Sequence, residues 1–426
     1  MKGEKTAPGR AVKTGCRVQA ALGQANMPND RNEITEGEKT ERRSEGSAGL
    51  TPVGLWQLVA YFLRLGSTGF GGPIALAGYM QRDLIPRRWI SEDEYREGLA
   101  FSQMMPGPLA AQLAMWIGYI RHGGIGASLV GLVFILPTFL IVLVISYLYV
   151  AYQGIAAVQA LFYGMGPTII AIVALSALRL ARATVGSDRR LLAIFVVVAL
   201  ITVIARAEMA LLFVAAGLIG VLLYHPPRNW HPTTPQLPVL FAIPAALGAS
   251  LSAPLLLELG SFFVKAGAFT FGSGLAIVPF LQQGVVLQHH WLNERQFLDA
   301  VAVGIITPGP VVITAAFVGY LVAGFWGALV AAAGVFLPVY LFVLFVGRYL
   351  VRHRNRPAVK GFVKGATAAA SGAIAGAAVI LSEGSIKDGA TALIGLISLL
   401  ILWRFKVSEP LLLAVAAVAG LLLYGR

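Results

Sequence analysis

Cysteine is almost absent from this 426-residue sequence, because Cys16 is the only one. A single cysteine excludes an internal disulfide framework, and it excludes a zinc or iron–sulfur site built from this chain's own thiolates. Charged residues are also scarce at 12%, about half their share in ordinary soluble domains, whereas 57% of the residues are apolar. The apolar residues form repeated runs of about 18–25, the length that crosses a bilayer core. The sequence therefore predicts an all-α polytopic membrane protein.

Several motifs of soluble enzymes are missing. The sequence contains no His-Glu-x-x-His, no phosphate-binding Gly-x-x-x-x-Gly-Lys-Ser/Thr and no Gly-x-Ser-x-Gly. The loops are too short to hold an ATP-hydrolysing domain, so any pumping is secondary transport. We expect no enzyme activity, no cofactor and no metal. The formal charge of +13 lies largely in short loops between apolar runs, which favours an explanation by membrane topology over nucleic-acid binding.

The first 50 residues differ from the rest of the chain. They contain nine Lys/Arg and seven Asp/Glu, and they have no apolar run typical of a secretory signal. Such a segment cannot bury enough apolar surface to order itself. We predict a disordered, cytoplasmic N-terminal tail over residues 1–52.

The remainder of the chain is an internal duplication. Residues 62–143 match residues 263–344 at an offset of 201 or 202. The matched residues are unusual for chance similarity between apolar segments: Phe62, Gly66, Phe70, Gly71, Ala75, Gln81, Trp89 and Glu92 recur as Phe263, Gly267, Phe271, Gly272, Ala276, Gln282, Trp291 and Glu294. We assign residues 53–225 and 257–426 to two repeats, with a linker over 226–256 that contains one membrane span. Internal duplication in a membrane protein points to transporter architecture.

Each repeat begins with apolar pieces that are too short to span. In the first repeat these are 55–71, 74–85, 95–105 and 109–120, separated by Gly-Pro and Pro-Gly-Pro sequences. The last three of these pieces have 11 or 12 residues and cover about 17–18 Å as helix, against a core of about 30 Å. We predict two re-entrant half-helix hairpins per repeat; kinked but continuous spans are the alternative. Four longer runs then follow in each repeat. With the linker span, the total is nine full spans and four hairpins.

Loop charges indicate that the two repeats have opposite orientations. Arg82, Arg87, Arg88 and Arg121 lie in loops of the first repeat whose counterparts in the second are nearly free of Lys and Arg. In the later loops the distribution is the opposite: the loops of the second repeat carry Lys and Arg, and their counterparts in the first repeat have almost none. Because positive loops mark the cytoplasmic side, this pattern predicts inverted-topology repeats with a site at their interface.

The broken helices suggest an anion site. Helix N-termini present unpaired N–H groups and partial positive charge, and four of them would converge near the midplane. Arg64 and Lys265 occupy equivalent positions inside apolar pieces. We predict that they hold a divalent anion, with a structural pairing to Glu97 and Asp299 as the alternative. The candidate substrate-binding residues are Arg64, Gly71, Gly72, Pro73, Gln103, Pro106, Gly107, Pro108, Gln112, Lys265, Gly272, Ser273, Gly274, Pro308, Gly309 and Pro310.

Three further residue groups have two interpretations each. Glu97 and Asp299 are equivalent acids that could carry coupling protons, because ionisable residues inside a membrane are functional candidates. Gln103 and Gln112 flank the first Pro-Gly-Pro, where they could donate to an oxyanion or satisfy carbonyls of the broken helix. Thr307 and Thr314 are the polar residues nearest the second Pro-Gly-Pro.

These motifs resemble those of the chromate ion transporter family in its long, two-domain form. The first copy is carried by Phe70-Gly71-Gly72-Pro73, Trp89 and Pro106-Gly107-Pro108, and the second by Phe271-Gly272-Ser273-Gly274, Trp291 and Pro308-Gly309-Pro310. The resemblance covers residues 53–424. It departs from strict repetition where Ser273-Gly274 replaces Gly72-Pro73, so the two half-sites need not be equivalent.

The resemblance implies an inner-membrane protein that moves chromate outward and confers chromate resistance, with sulfate as the physiological analogue. Both are tetrahedral dianions, and an inside-negative potential of 100 mV favours dianion exit by about 4.6 kcal/mol. A passive anion channel and a sulfate importer remain alternatives on the same scaffold. A membrane enzyme acting on lipid phosphates would need a cluster of acidic metal ligands that the sequence does not show. The sequence leaves the oligomeric state open, a homodimer being one option.

Overall fold

In a computed structural model, the structure describes residues 50–152, 154–205, 209–224, 255–271, 274–347, 356–405 and 407–424. These residues form helices, and no strand occurs among them. The tail over 1–49 and most of the linker, including its expected membrane span, lie outside the described residues. The first repeat contains α1 (Leu55–Thr68), α2 (Gly72–Leu84), α3 (Glu92–Met104), α4 (Leu109–Tyr152), α5 (Ala156–Val185), α6 (Arg189–Ala205) and α7 (Met209–Tyr224).

The second repeat follows the same order. It contains α8 (Leu255–Phe269), α9 (Ile277–Leu281), α10 (Glu294–Ile306), α11 (Thr314–Leu341), α12 (Pro357–Ser385), α13 (Gly389–Arg404) and α14 (Glu409–Leu423). A 3-10 turn at Gly274–Ala276 precedes α9, and a π-helical segment at Gln282–Gln288 follows it. Another 3-10 turn at Val311–Ile313 precedes α11, which continues into a π-helical turn at Phe342–Val346.

Four helical segments in the described part of the chain are long and apolar enough to cross a membrane. They are Leu109–Tyr152, Ala156–Val185, Val311–Val346 and Pro357–Ser385. Helices α6, α7, α13 and α14, which the sequence assigns to full spans, contain 15–17 residues. At 1.5 Å per residue they are about 23–26 Å long, so they are shorter than the usual bilayer core.

Helix α4 reverses direction at a sharp turn. His122 and Gly123 leave helical geometry there, and Gly123 has a φ of +62° that favours glycine. A Cβ atom on Gly118 would overlap the backbone of Gly126, so the short arm (109–121) and the long arm (124–152) fold back on each other. The equivalent turn in α11 has nearly the same backbone angles at Ala323 and Gly324. This repeated turn shows the internal duplication in three dimensions.

The helices that precede the Pro-Gly-Pro turns begin with matching caps. The Ser91 hydroxyl accepts a hydrogen bond from the Glu94 N–H at 3.1 Å, and the Glu94 carboxylate accepts one from the Ser91 N–H at 2.9 Å. Asn293 and Gln296 form the same reciprocal pair at the start of α10. These capping boxes explain why α3 begins at Glu92, three residues before the apolar run that the sequence indicates.

The long helices of the two repeats pack across each other. Helix α12 of the second repeat packs against α6 and α7 of the first, and α5 of the first packs against α13 and α14 of the second. Small residues allow close backbone approach, as between Gly220 and Gly361 and between Gly164 and Gly420. The two repeats therefore form one interlocked body.

Candidate functional site

The second pair of short helices in each repeat forms a helical hairpin around Pro-Gly-Pro. Glu94, near the start of α3, forms an ion pair with Arg121, at the end of the short arm of α4. Between them, the Trp116 ring lies directly against Gly98. The start of α3 and the end of the short arm of α4 therefore lie together, and the turn at 105–108 lies at the opposite end of the hairpin. Each helix has 13 residues and is about 20 Å long.

The first pair of short helices breaks at glycine. Gly71 and Gly72 have φ values of +107° and +76°, and Pro73 follows in the first turn of α2. Positive φ favours glycine, and proline suits a helix start because its missing N–H is not needed there. In the second repeat, Gly272 and Ser273 lie outside the described residues. A Cβ atom on Gly274 would be 3.7 Å from Pro73, so the first hairpins of the two repeats meet.

The two Pro-Gly-Pro turns connect to the opposite repeat by equivalent bonds. The Gly107 N–H donates to the Thr270 carbonyl at 2.5 Å, where α8 ends. The Gly309 N–H donates to the Gly69 carbonyl at 2.9 Å, where α1 ends. Positions 107 and 309, like 69 and 270, are equivalent in the two repeats. The reciprocal bonds therefore bring all four helix breaks to one place between the repeats.

Thr138 is a site residue that the sequence analysis missed. Its buried hydroxyl donates to the Pro308 carbonyl at 2.7 Å, and its side chain lies directly against Gly309. The equivalent position in the second repeat is Val339, which faces Gly107. The signal was present in the sequence, because Leu-Pro recurs in both repeats and is followed by threonine only in the first. The site therefore has one polar and one apolar half at this level.

The two glutamines beside the first Pro-Gly-Pro lie in different environments. Gln112 is buried, and its amide donates to the Pro106 carbonyl at 2.6 Å. This is the second of its two predicted roles, the satisfaction of a carbonyl at the broken helix. The Gln112 Oε1 atom has no hydrogen-bond partner within the described structure. Gln103 is exposed, and Thr307 and Thr314 donate to carbonyls of their own turns.

Arg64 and Lys265 stand at equivalent points, five residues before the ends at Gly69 and Thr270. Arg64 is exposed and Lys265 is half-buried. Neither takes part in an ion pair with a described residue. The predicted alternative, structural pairs of Arg64 with Glu97 and of Lys265 with Asp299, is therefore not formed in this conformation.

The two equivalent acids differ in burial. Glu97, in α3, is half-exposed. Asp299, in α10, is buried and accepts a hydrogen bond of 2.7 Å from the Tyr149 hydroxyl of α4. The sequence analysis did not identify Tyr149, which lies in a long apolar run with no local signal of its partner.

The chemistry available at the helix breaks is that of hydrogen-bond donors and positive charge. The short arm of α4 and residues 311–322 begin directly after the Pro-Gly-Pro turns, and their first N–H groups have no partner within their own helices. Residues 109–111 are buried there, so these N–H groups are shielded from bulk water. Among the described residues, no three His, Cys, Asp or Glu side chains come together as metal ligands would. The arrangement suits an anion.

Comparison with known proteins agrees with the duplicated architecture. The model of the chromate transporter family matches residues 56–221 and again residues 257–421. A chromate transport protein from Cupriavidus metallidurans is 51% identical over 374 residues, which cover 87% of this chain and 93% of that protein. A probable chromate transport protein from Synechococcus elongatus is 48% identical over 383 residues, covering 87% and 96%.

A chromate transport protein from Pseudomonas aeruginosa is 30% identical over 391 residues, which cover 88% of this chain and 93% of that protein. No solved structure matches this chain. The two matches to one family model lie on the two repeats that the sequence and the backbone show. The chain belongs to the chromate transporter family.

Proposed function

We propose that this protein carries chromate and similar tetrahedral dianions, such as sulfate, across the inner membrane, with chromate moving outward. The observation that carries the proposal is the pair of reciprocal bonds, from Gly107 to Thr270 and from Gly309 to Gly69. These bonds place four helix breaks, with their unpaired N–H groups, where both repeats contribute. A site at the interface of two repeats is the arrangement used by secondary transporters.

In this proposal, the anion lies at the N-terminal ends of the short helices. The Gly107 and Gly309 N–H groups already donate to backbone carbonyls, so the donors to the anion come from α2 and from the residues after each Pro-Gly-Pro. Arg64 and Lys265 approach from the two repeats and supply positive charge. Each lies about 7.5 Å along its helix from the break. Two cations and several N–H dipoles balance a dianion better than a monovalent anion.

The orientation in the membrane follows from the hairpins. We propose that both hairpins of each repeat are re-entrant and that the repeats are inverted. In support, the Thr51 N–H donates to the Arg88 carbonyl at 3.0 Å, and the His122 ring lies 3.0 Å from the Val53 carbonyl. The loop with Arg87 and Arg88 therefore lies beside the turn with Arg121. Because positive loops favour the cytoplasmic side, they support the proposal that this end and the N-terminal tail lie in the cytoplasm.

Transport outward needs no ATP. The inside-negative potential favours the exit of a dianion by about 4.6 kcal/mol per 100 mV. Chromate and sulfate share charge and shape, so a site built from N–H groups and two cations discriminates weakly between them. We therefore expect the two anions to compete.

The test is flux in proteoliposomes. Purified protein is reconstituted, the potential is clamped, and radiolabelled chromate is followed with sulfate on the same or the opposite side. A carrier shows saturable chromate flux that sulfate inhibits from the same side and stimulates from the opposite side. Flux that rises linearly with chromate and ignores sulfate on the opposite side would indicate a channel. No flux above empty vesicles, with folded protein, would reject chromate as the substrate.

A further inference from the structure

Helix α1 has a polar, exposed face beside its break. Arg64, Ser67 and Thr68 lie on this face, and all three are exposed. The Ser67 hydroxyl donates to the Leu63 carbonyl at 2.7 Å, and the Thr68 hydroxyl donates to the Arg64 carbonyl at 2.9 Å. Within an α-helix these carbonyls also accept the backbone N–H four residues later. Either hydroxyl can therefore turn to a ligand without leaving a carbonyl unpaired.

The equivalent positions of the second repeat carry no hydroxyl group. Ala268 and Phe269 stand where the first repeat has serine and threonine, and Lys265 stands where it has arginine. All three are half-buried. The second hairpins differ in the same sense, because Ile305, which is 4% exposed, replaces the exposed Gln103. These positions are thus polar and exposed in the first repeat, and mostly apolar and covered in the second.

The first hairpin of the first repeat is also less covered by its neighbours. Helix α2 packs mainly against α4, whereas α9 packs against α7, α8 and α12. Phe70 and Ile74 are 43% and 66% exposed, and their counterparts Phe271 and Leu275 are each 5% exposed. The break in the first repeat is therefore open at the surface, and the break in the second is closed.

The position of this polar face favours contact with water. Helix α1 has 14 residues and is about 21 Å long. In the proposed orientation it runs from the cytoplasmic face towards the midplane, so Arg64, Ser67 and Thr68 lie deep in the membrane. A guanidinium exposed to hydrocarbon at that depth is costly, whereas polar groups that line a water-filled cavity are tolerated. The face therefore suits a water-filled groove that opens to the cytoplasm.

We propose that Arg64, Ser67 and Thr68, with Gln103 in the last turn of α3, form a loading site for a tetrahedral oxyanion on the cytoplasmic side. The inference rests on the proposed function and gives its anion site a cytoplasmic entrance. The guanidinium supplies charge and paired donors, and the hydroxyls supply further donors to the anion's oxygens. The equivalent positions of the second repeat offer the Lys265 ammonium alone. The protein therefore binds the anion more tightly from the cytoplasm than from the opposite side.

Unequal affinity leaves the final distribution of the anion unchanged. The concentration gradient and the membrane potential determine the direction of net movement. A tighter cytoplasmic site instead lets the carrier load at a low internal chromate concentration and release chromate on the other side.

The first test compares the two faces of the protein. Everted membrane vesicles present the cytoplasmic face to the medium, right-side-out vesicles present the other face, and radiolabelled chromate uptake is followed in both at clamped potential. The KM of the wild type should be about tenfold lower in everted vesicles, which corresponds to about one hydrogen bond to a charged group. Equal KM values, or a lower KM in right-side-out vesicles, would overturn the proposal.

Two substitutions test the hydroxyls. Ser67→Ala combined with Thr68→Val should raise the KM in everted vesicles by about tenfold and leave the KM in right-side-out vesicles unchanged. Thr68→Ser keeps the hydroxyl and should retain the wild-type KM. Ser382→Ala is the matched control, because the exposed Ser382 hydroxyl also donates to its own helix, at 2.6 Å, but lies near the end of α12. An unchanged KM in the double variant, or an equal rise on both faces, overturns the loading site.

Thiol labelling locates the groove independently of transport. In a Cys16→Ser background, Thr68→Cys should react from the cytoplasmic face with a membrane-impermeant maleimide. Leu218→Cys, on the exposed apolar side of α7, is the control and should react only with a lipid-soluble reagent. If Thr68→Cys behaved like Leu218→Cys, the face would lie in lipid. If neither reagent labelled Thr68→Cys, a second copy of the chain would cover the face. Either result would overturn the proposal.

The outcomes separate the two proposals. Wild-type chromate flux with the same KM on both faces overturns the loading site and leaves chromate transport intact. Wild-type protein that moves no chromate in either preparation rejects the proposed function, and the loading site with it.

Discussion

The Thr138 hydroxyl of the first repeat donates a 2.7 Å hydrogen bond to the Pro308 carbonyl of the second repeat. A buried side chain of one repeat therefore holds the Pro-Gly-Pro turn of the other. The reverse contact has no hydrogen bond, because Val339 occupies the equivalent position against Gly107. The two turns are related by the duplication, but only the second receives a hydrogen bond from the side chain at this position of the opposite repeat.

Thr138→Val should weaken this hold while keeping the shape of the side chain. The Pro308 carbonyl would lose the Thr138 donor in a buried setting, at a cost of about 1–2 kcal/mol in a membrane protein. We expect a lower melting temperature in detergent and a reduced rate of chromate flux in proteoliposomes. Thr138→Ser keeps the hydroxyl and is the matched control, so it should retain more flux than valine. Equal flux in the two variants would show that the hydrogen bond does not matter.

Gly118→Ala should destabilise the folded hairpin within α4. A methyl group there would overlap the Gly126 backbone, and backbone cannot move away as a flexible side chain can. We expect a loss of stability of about 1–3 kcal/mol, measured as a lower melting temperature. Gly319→Ala, which meets Gly327 in α11, should behave in the same way.

Gly78→Ala is the control for this effect. Gly78 lies inside α2, and a Cβ atom there would have no neighbour within 4 Å. Alanine favours helix over glycine, so we expect a gain of about 0.5–1 kcal/mol. If Gly78→Ala and Gly118→Ala destabilised the protein equally, close packing would not be the cause.

Glu94→Gln should loosen the hairpin formed by α3 and the short arm of α4. Glutamine can still complete the capping box with Ser91, so the change removes the charge that faces Arg121. The side chains of Arg121 and Glu94 are 17% and 32% exposed, and a partly buried cation left unpaired should cost about 1–2 kcal/mol. The measurement is the melting temperature of the purified variant.

The ion pair between Arg96 and Glu92 gives the comparison. Those side chains are 67% and 56% exposed, and a surface pair contributes about 0–1 kcal/mol. Glu92→Gln should therefore change the melting temperature little. A larger effect at Glu92 than at Glu94 would contradict this assignment.

Tyr224→Phe should change how stability depends on pH. The Tyr224 hydroxyl hydrogen-bonds the Asp188 carboxylate in the loop between α5 and α6, and this bond lowers the pKa of Asp188 below its ordinary value of 3.8. A lowered pKa means that the stabilisation is present above 3.8 and is lost as the pH falls through the lowered value. The melting temperatures of wild type and Tyr224→Phe should differ near neutral pH and converge in acid.

Tyr424→Phe is the matched control for this pH dependence. Tyr424 ends α14 as Tyr224 ends α7, but its hydroxyl donates to the uncharged Gln159 side chain at 2.8 Å. Its removal should shift the melting temperature by the same amount at neutral and acidic pH. If the difference in melting temperature between wild type and either variant were larger in acid than at neutral pH, the Tyr224–Asp188 bond would not be the source of the pH dependence.

Much of the architecture could be predicted from the sequence because glycine and proline mark backbone geometry directly. The Pro-Gly-Pro turns, the break at Gly71 and Gly72 and the duplication all follow from residues whose backbone preferences are strong. The low content of charged residues and the high content of apolar residues predict a membrane protein. The helix starts were displaced by up to three residues where a capping box, as at Ser91, extended the helix beyond its apolar run.

The site's long-range contacts could not be predicted in the same way. Thr138 and Tyr149 lie in apolar runs, and their partners Pro308 and Asp299 are 170 and 150 residues away. No local sequence pattern indicates contacts between residues so far apart in the chain. The role of Gln112 stayed open for a related reason, since an amide can serve a carbonyl or an anion, and geometry alone decides.

Arg64→Ala and Lys265→Ala should each abolish chromate flux while leaving membrane levels normal. Both side chains lie beside a helix break without a described ion pair, so their removal leaves no buried charge unpaired and should not unfold the protein. Arg96→Ala removes an exposed arginine near the start of α3, away from the Pro-Gly-Pro turn, and is the matched control, with flux expected at the wild-type level. Arg64→Lys tests the kind of contact, because lysine keeps the charge but cannot form the paired hydrogen bonds of a guanidinium. Partial flux in Arg64→Lys would indicate that charge attracts the dianion and that the arginine fork adds directed donors. Full flux in either alanine variant would remove that residue from the site and leave the helix N-termini as the principal donors to the anion.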